Sequence, residues 1–257
     1  MDFPVWIRLG PLTLHPHLVF EALAYVVGFR MFLVRRGRAG DLLPVGARMS
    51  VVAAAAVGAA IGSKILVWLA DPAATWAHRA DLLYLMAGKT IVGGLIGGWI
   101  AVEWTKRRLG IRRATGDLFA VPLAVGIAIG RVGCLLTGVA DRTCGVATES
   151  AWGMNLGDGI LRHPTPLYEI AFLALLAAGL ARRSRRPFRE GDLFRVFMAA
   201  YAAFRIGIDF LKPGVPIFGL TALQWACGGV LLYLVRDLPR MVRWRNGMKE
   251  RLKENLT

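Results

Sequence analysis

Apolar positions along this chain fall in long runs rather than in the short periodic stripes of a soluble fold. The runs lie near 15–34, 50–70, 84–105, 117–137, 165–181, 192–211 and 218–235, each close to the roughly 20 residues a helix needs to cross a bilayer. The pattern predicts an all-α, polytopic membrane protein with seven transmembrane helices in a single integral membrane domain spanning 1–257. The longest polar connection, 138–164, is rich in Gly, Asp and Thr and predicts a small extracytoplasmic head, since loops of this length often carry function. Beyond 236 the chain alternates basic residues with Trp244, Met248 and Leu252, the pattern of an interfacial helix on an anionic leaflet.

Charge orients the spans. The formal net charge is +15, but the cations gather in blocks that end apolar runs: Arg35, Arg36 and Arg38; Lys106, Arg107 and Arg108; Arg182, Arg183, Arg185 and Arg186; and the tail. The alternate connections hold only Arg8, Arg79, Arg142, Arg162 and Lys212. By the positive-inside rule the N-terminus lies outside and the C-terminus in the cytoplasm. This clustering argues for a membrane and against nucleic acid as the partner of the basic residues. Composition agrees, at 56% hydrophobic residues against about 45–50% in soluble domains. The N-terminus lacks the order of a cleavable leader, so the first span is expected to serve as the insertion signal. Cys134, Cys144 and Cys227 have no metal-ligand spacing. No nucleotide motif occurs either, and no cofactor or metal is expected.

Ionisable residues inside the runs carry the candidate chemistry. Arg131, flanked by Gly130 and Gly133, stays charged wherever it stands. Its charge costs at least about 2.5–3.5 kcal/mol at membrane depth, which makes it a functional candidate by default. Tyr201, Arg205 and Asp209 recur every four residues and so share a helix face. Their stripe reads either as a local ion pair closing a helix end or as an arginine oriented toward a bound anion. His163-Pro164-Thr165-Pro166-Leu167-Tyr168-Glu169 opens the fifth span, with proline suited to a first helical turn. Glu21 lies in the first span, and Gly93-Gly94 sits in a glycine-rich stretch of the third. That stretch reads first as tight helix packing and second as a place where a lipid headgroup could reach the backbone.

The strings Gly130-Arg131-Val132-Gly133, His163-Pro164-x-x-Leu167-Tyr168-Glu169 and Tyr201-x-x-x-Arg205-x-x-x-Asp209, with Gln224 beyond, resemble the prolipoprotein diacylglyceryl transferase family. The resemblance runs from Gly10-Pro11-Leu12 to about Val235. It implies a bacterial inner-membrane enzyme. Such an enzyme moves the diacylglyceryl group of phosphatidylglycerol onto the lipobox cysteine of a prolipoprotein signal peptide. It further implies that Arg131 and Arg205 hold the lipid phosphate beside Tyr201, with Gly130, Gly133, Gly93, Gly94, Tyr168, Glu169, Asp209 and Gln224 lining the substrate.

Several family positions differ. Val92 stands where the family carries its proposed base histidine, Cys134 where it carries asparagine, Val139 near an expected glutamate, and Phe20-Glu21-Ala22 for Trp-Tyr-Gly. Asp209 replaces a glutamate. Glu21, His17 or His163 are the alternatives for a base. A paralogue acting on another acceptor and a non-catalytic phospholipid binder or translocator stay open beside the transferase. A secondary transporter is disfavoured because the halves show no repeat.

Overall fold

The computed structural model describes residues 3–40 and 43–236; the tail at 237–257, where an interfacial helix is expected, lies outside them. A hairpin of β1 (Ile7–Leu9) and β2 (Leu12–Leu14) comes first, turning at Gly10, whose φ of 60° suits glycine. Helices follow: α1 (Pro16–Ala39), α2 (Val45–Ala70), α3 (Pro72–Ala77), α4 (Leu82–Met86), α5 (Ile91–Arg108), α6 (Asp117–Thr137), α7 (Thr165–Arg183), α8 (Asp192–Asp209) and α9 (Ala222–Val235). Between α6 and α7 run a 3-10 turn and a short ladder of β3 (Met154–Asn155) with β4 (Leu161–Arg162).

Among the described residues four stretches are long and apolar enough to cross a membrane: Pro16–Arg38, Val45–Ala70, Asp117–Asp141 and Thr165–Arg183. Helix α2 begins before its apolar run, at Val45, and α9 after the start of its run, at Ala222; two further departures have a local cause. The expected span at 84–105 is divided, because Asp81 caps the five-residue α4 and Gly88 turns the chain at φ 66° before Thr90 caps α5. Helix α1 continues past 34 through Arg35, Arg36 and Arg38 and stops at Gly40, φ 77°. Cations at the last turn of α1, α5 and α7 meet the negative end of the helix dipole.

Small residues set the closest helix contacts. On α2 and α5, Gly58 and Gly62 face Gly93 and Gly97 so tightly that a methyl on Gly62 or Gly97 would strike the opposing carbonyl. Gly93 therefore serves this contact, and Gly94 lies in ordinary contact with Ala59. Helix α1 approaches α6 at Gly133, where an added Cβ would sit 2.9 Å from Phe20 and 3.1 Å from His17. Asp117 of α6 accepts the backbone N–H groups of Gly191 and Phe194 at 2.5 and 3.0 Å and fixes the start of α8. The core lies among α6, α7 and α8, with Ala120, Ala124, Leu173, Leu193 and Phe197 all but inaccessible. Large apolar side chains such as Phe29, Val57, Ile61, Ile100, Leu175 and Leu232 point outward, as lipid-facing positions do.

Substituting Gly62 or Gly97 with leucine forces α2 from α5 and should destabilise the protein by about 1–3 kcal/mol or more. Gly179 has open space around it, so Gly179→Ala should be neutral or stabilising by up to about 1 kcal/mol. Thermal unfolding of the detergent-solubilised variants measures both, and equal melting temperatures for Gly62→Leu and Gly179→Ala would contradict the packing.

Candidate active site

Glu169 is fully buried one turn into α7, a depth set by the prolines at 164 and 166 that open the helix. Its carboxylate joins three helices. Oε1 accepts the Tyr201 hydroxyl at 2.6 Å, and Oε2 lies 2.9 Å from Arg131 Nε and 3.3 Å from Arg205 Nη1. Arg131 comes from α6 and both Tyr201 and Arg205 from α8, so one acid gathers two arginines that stand inside the apolar runs. Neither guanidinium spends all its five N–H donors. Arg205 Nε is buried without a hydrogen-bond acceptor, and Arg131 Nε faces Glu169 Oε2 without hydrogen-bond alignment.

The network continues through α8 into α9. Arg205 Nη2 donates to Asp209 Oδ1 at 3.2 Å, and the other Asp209 oxygen accepts the hydroxyl of Thr221. Thr221 caps α9 in a reciprocal box with Gln224, and Gln224 Nε2 donates to the Ile206 carbonyl at 3.1 Å. The local reading of the Tyr201–Arg205–Asp209 stripe is what the geometry shows: Arg205 is paired with Asp209 within its helix and also reaches the Glu169 carboxylate. Gln224 acts on backbone and cap.

A second cluster stands beside the first. His17, Glu21 and Tyr25 recur every four residues on α1. Glu21 pairs with Lys89, accepts the Tyr25 hydroxyl at 3.3 Å and lies 3.5 Å from His17 Nε2. His17 Nδ1 lies 2.8 Å from Asp141 Oδ1, and Asp141 Oδ2 accepts the Thr143 hydroxyl at 2.9 Å. Cys134 joins the clusters, its sulfur 3.6 Å from Arg131 Nη1 and 4.0 Å from His17 Nδ1. Gly133 is what lets α1 come this near. It gives room to a helix rather than to a ligand, whereas Gly130 has nothing within 4 Å of an added Cβ.

His163 falls elsewhere. Its Nδ1 lies 3.3 Å from the Tyr168 hydroxyl and its backbone pairs with Gly145 and Val146 of the connection. Val92 is buried in the apolar core and lines a small cavity with Met198, Tyr201 and Cys227. Lys212 follows the end of α8, half-buried. Burial pushes its ammonium down to about 7, and the nearby Arg205 and Arg131 push the same way. Thr221, Lys212, Lys89 and Asp141 carry no local signal for a site. The i, i+4 spacing of His17 and Glu21 is the one pattern that could have marked the second cluster.

Comparison with known proteins identifies the family. The family model described as prolipoprotein diacylglyceryl transferase matches residues 4–235. A phosphatidylglycerol–prolipoprotein diacylglyceryl transferase of Chromohalobacter salexigens is 34% identical over 248 residues, covering 89% of this chain and 86% of the relative. The proteins of that name from Geobacter sulfurreducens and Bordetella parapertussis are 30% and 29% identical, covering 90% and 92% of this chain and 90% and 96% of the relatives. With the family model matching nearly its whole length and the arginine strings in place, the chain belongs to the prolipoprotein diacylglyceryl transferase family.

Proposed function

We propose that this protein transfers the diacylglyceryl group of phosphatidylglycerol to the lipobox cysteine thiol of prolipoproteins in the bacterial inner membrane. The names of its relatives support the activity. Helices α1, α2, α5, α6, α7, α8 and α9 each overlap one of the seven apolar runs, which supports seven spans. The basic blocks at alternate connections support an extracytoplasmic N-terminus, a cytoplasmic C-terminus and an outward 138–164 segment.

The observation that carries the chemistry is the pair of buried arginines from α6 and α8 held on one carboxylate with N–H donors to spare. Their planar forks suit phosphate oxygens. In the reaction the acceptor thiol loses its proton to solvent, its sulfur attacks the glyceryl carbon, the C–S bond forms, and the C–O bond to phosphate breaks with its electron pair leaving on glycerol phosphate. The negative charge growing on that leaving group falls between Arg131 and Arg205, which are positioned before the reaction and need no reorganisation. Glu169 and Asp209 keep the guanidiniums in place, and Lys212 adds a third cation when protonated. One feature favours a second reading, a phospholipid binder without catalysis: Val92, buried among apolar side chains, leaves the family's usual base position without a titratable group.

Complementation of a strain depleted of its own diacylglyceryl transferase separates the two. Rescue with lipidated lipoprotein is expected, and Arg131→Ala or Arg205→Ala, checked for insertion and amount, should lower the transfer rate by about 100- to 1000-fold. Arg131→Lys should not restore it, because a point charge lacks the fork. Stable inserted wild-type protein that lipidates nothing would refute the transferase and leave the binder. Lys212 gives a pH test with a definite sign. With its ammonium at about 7, it is protonated below that pH and neutral above it. Retention of phosphatidylglycerol, whose phosphodiester keeps one charge throughout, should thus weaken from about pH 6 to about pH 8. Lys212→Met should flatten this trend. A wild-type profile as flat as the variant's would remove Lys212 from the site.

A further inference from the structure

His17, Cys134 and Asp141 come from three separate parts of the chain, α1, α6 and the turn after it, yet one donor atom of each lies within 4.8 Å of the others. Among the described residues this is the one such group of metal-ligating side chains. Imidazole, thiol and carboxylate together form a donor set typical of zinc, with three protein ligands leaving a fourth, open position. The spacing is near what the ion requires. A tetrahedral zinc with ordinary bond lengths separates sulfur and nitrogen by about 3.6 Å and nitrogen and oxygen by about 3.3 Å. The pairs here stand at 4.0 Å for Cys134 Sγ to His17 Nδ1 and 2.8 Å for His17 Nδ1 to Asp141 Oδ1. Shifts of about half an ångström reconcile these two pairs, and the third pair, Cys134 with Asp141, lies within 4.8 Å.

The surroundings are those of ligands rather than of a chance contact. A ligating histidine usually turns its other ring nitrogen to a carboxylate, and His17 Nε2 faces Glu21 at 3.5 Å while Nδ1 faces the cluster. Asp141 has one oxygen occupied by the Thr143 hydroxyl at 2.9 Å and the other directed at His17. The Cys134 sulfur has the Arg131 guanidinium as a hydrogen-bond donor at 3.6 Å. Each prospective ligand thus has an outer partner.

We propose that His17, Cys134 and Asp141 form a zinc site whose open position binds the acceptor cysteine as a thiolate. The catalytic half of this statement rests on the transferase reading above. The acceptor R–SH displaces the metal-bound water and releases its proton to solvent, since a coordinated thiol is deprotonated. The bound sulfur then attacks the glyceryl carbon, the C–S bond forms, and the C–O electron pair departs on the phosphate oxygen facing Arg131 and Arg205. The product thioether, uncharged, is a poorer ligand and leaves. This places a thiol-activating device beside the phosphate site through Cys134, and it does so in a chain whose Val92 position offers no base.

The test uses the full-length chain, purified without a metal-binding tag in lipid nanodiscs. Plasma mass spectrometry after zinc loading should find about one zinc per chain, and cobalt substitution should give a thiolate-to-metal charge-transfer band. Cys134→Ser should abolish the band, Asp141→Asn and His17→Gln should abolish stoichiometric zinc, and Glu21→Gln should weaken zinc about 10- to 100-fold while keeping the band. The site is overturned if correctly folded wild type holds no more zinc than His17→Gln and Asp141→Asn, with no thiolate band. Chelation followed by a lipidation assay tests the role separately. Loss of transfer restored by zinc supports it. Full activity in zinc-free protein overturns the zinc role while leaving the transferase standing. Bound zinc with no transfer under any condition supports the site and refutes the transferase.

Discussion

A carboxylate shared by two guanidiniums in a water-poor interior is the interaction on which this structure turns. Glu169 alone would be a buried charge of several kcal/mol, and Arg131 alone another. Together with Arg205 and Tyr201 they become a satisfied group that ties α6, α7 and α8 at one depth. Removing one member leaves the rest uncompensated, at a cost of about 3–5 kcal/mol. The same knot that makes the core coherent therefore also holds the arginines where an anion can meet them, so stability and chemistry share their residues.

Packing elsewhere serves this arrangement. The glycine contact of α2 with α5 allows two backbones to touch without apolar side chains between them. Gly133 brings α1 against α6, so that Glu21 and His17 reach the neighbourhood of Arg131. Asp117 and Thr221 fix where α8 and α9 begin, and thereby where Arg205 and Asp209 sit along their helix. Lys212 and the 138–164 segment then border the end of α8, the backbone of Val146 donating to the Leu211 carbonyl at 2.8 Å.

Much of this was legible in the sequence because it is local. Run length predicts helices near their observed places, proline and the capping residues mark their starts, and the stripe Tyr201, Arg205, Asp209 is visible as spacing. Two features follow from local chemistry that hydropathy does not register: Gly88 dividing the expected third span, and α1 carrying its arginines past the apolar run. The remainder is non-local. That Glu169 anchors both arginines depends on the rotation of three helices about their axes. Asp141 meets His17 only because a turn after α6 folds back over α1. Gly93 and Gly133 show how a glycine suited to a ligand is equally suited to a neighbouring helix, and only packing decides between them.

The most direct measurement is an experimental structure of the chain in nanodiscs containing phosphatidylglycerol. The account predicts the lipid phosphate within hydrogen-bond reach of both Arg131 and Arg205, with Glu169 still bridging them and Tyr201. A phosphate bound away from these side chains, or arginines turned to separate pockets without Glu169 between them, would contradict it.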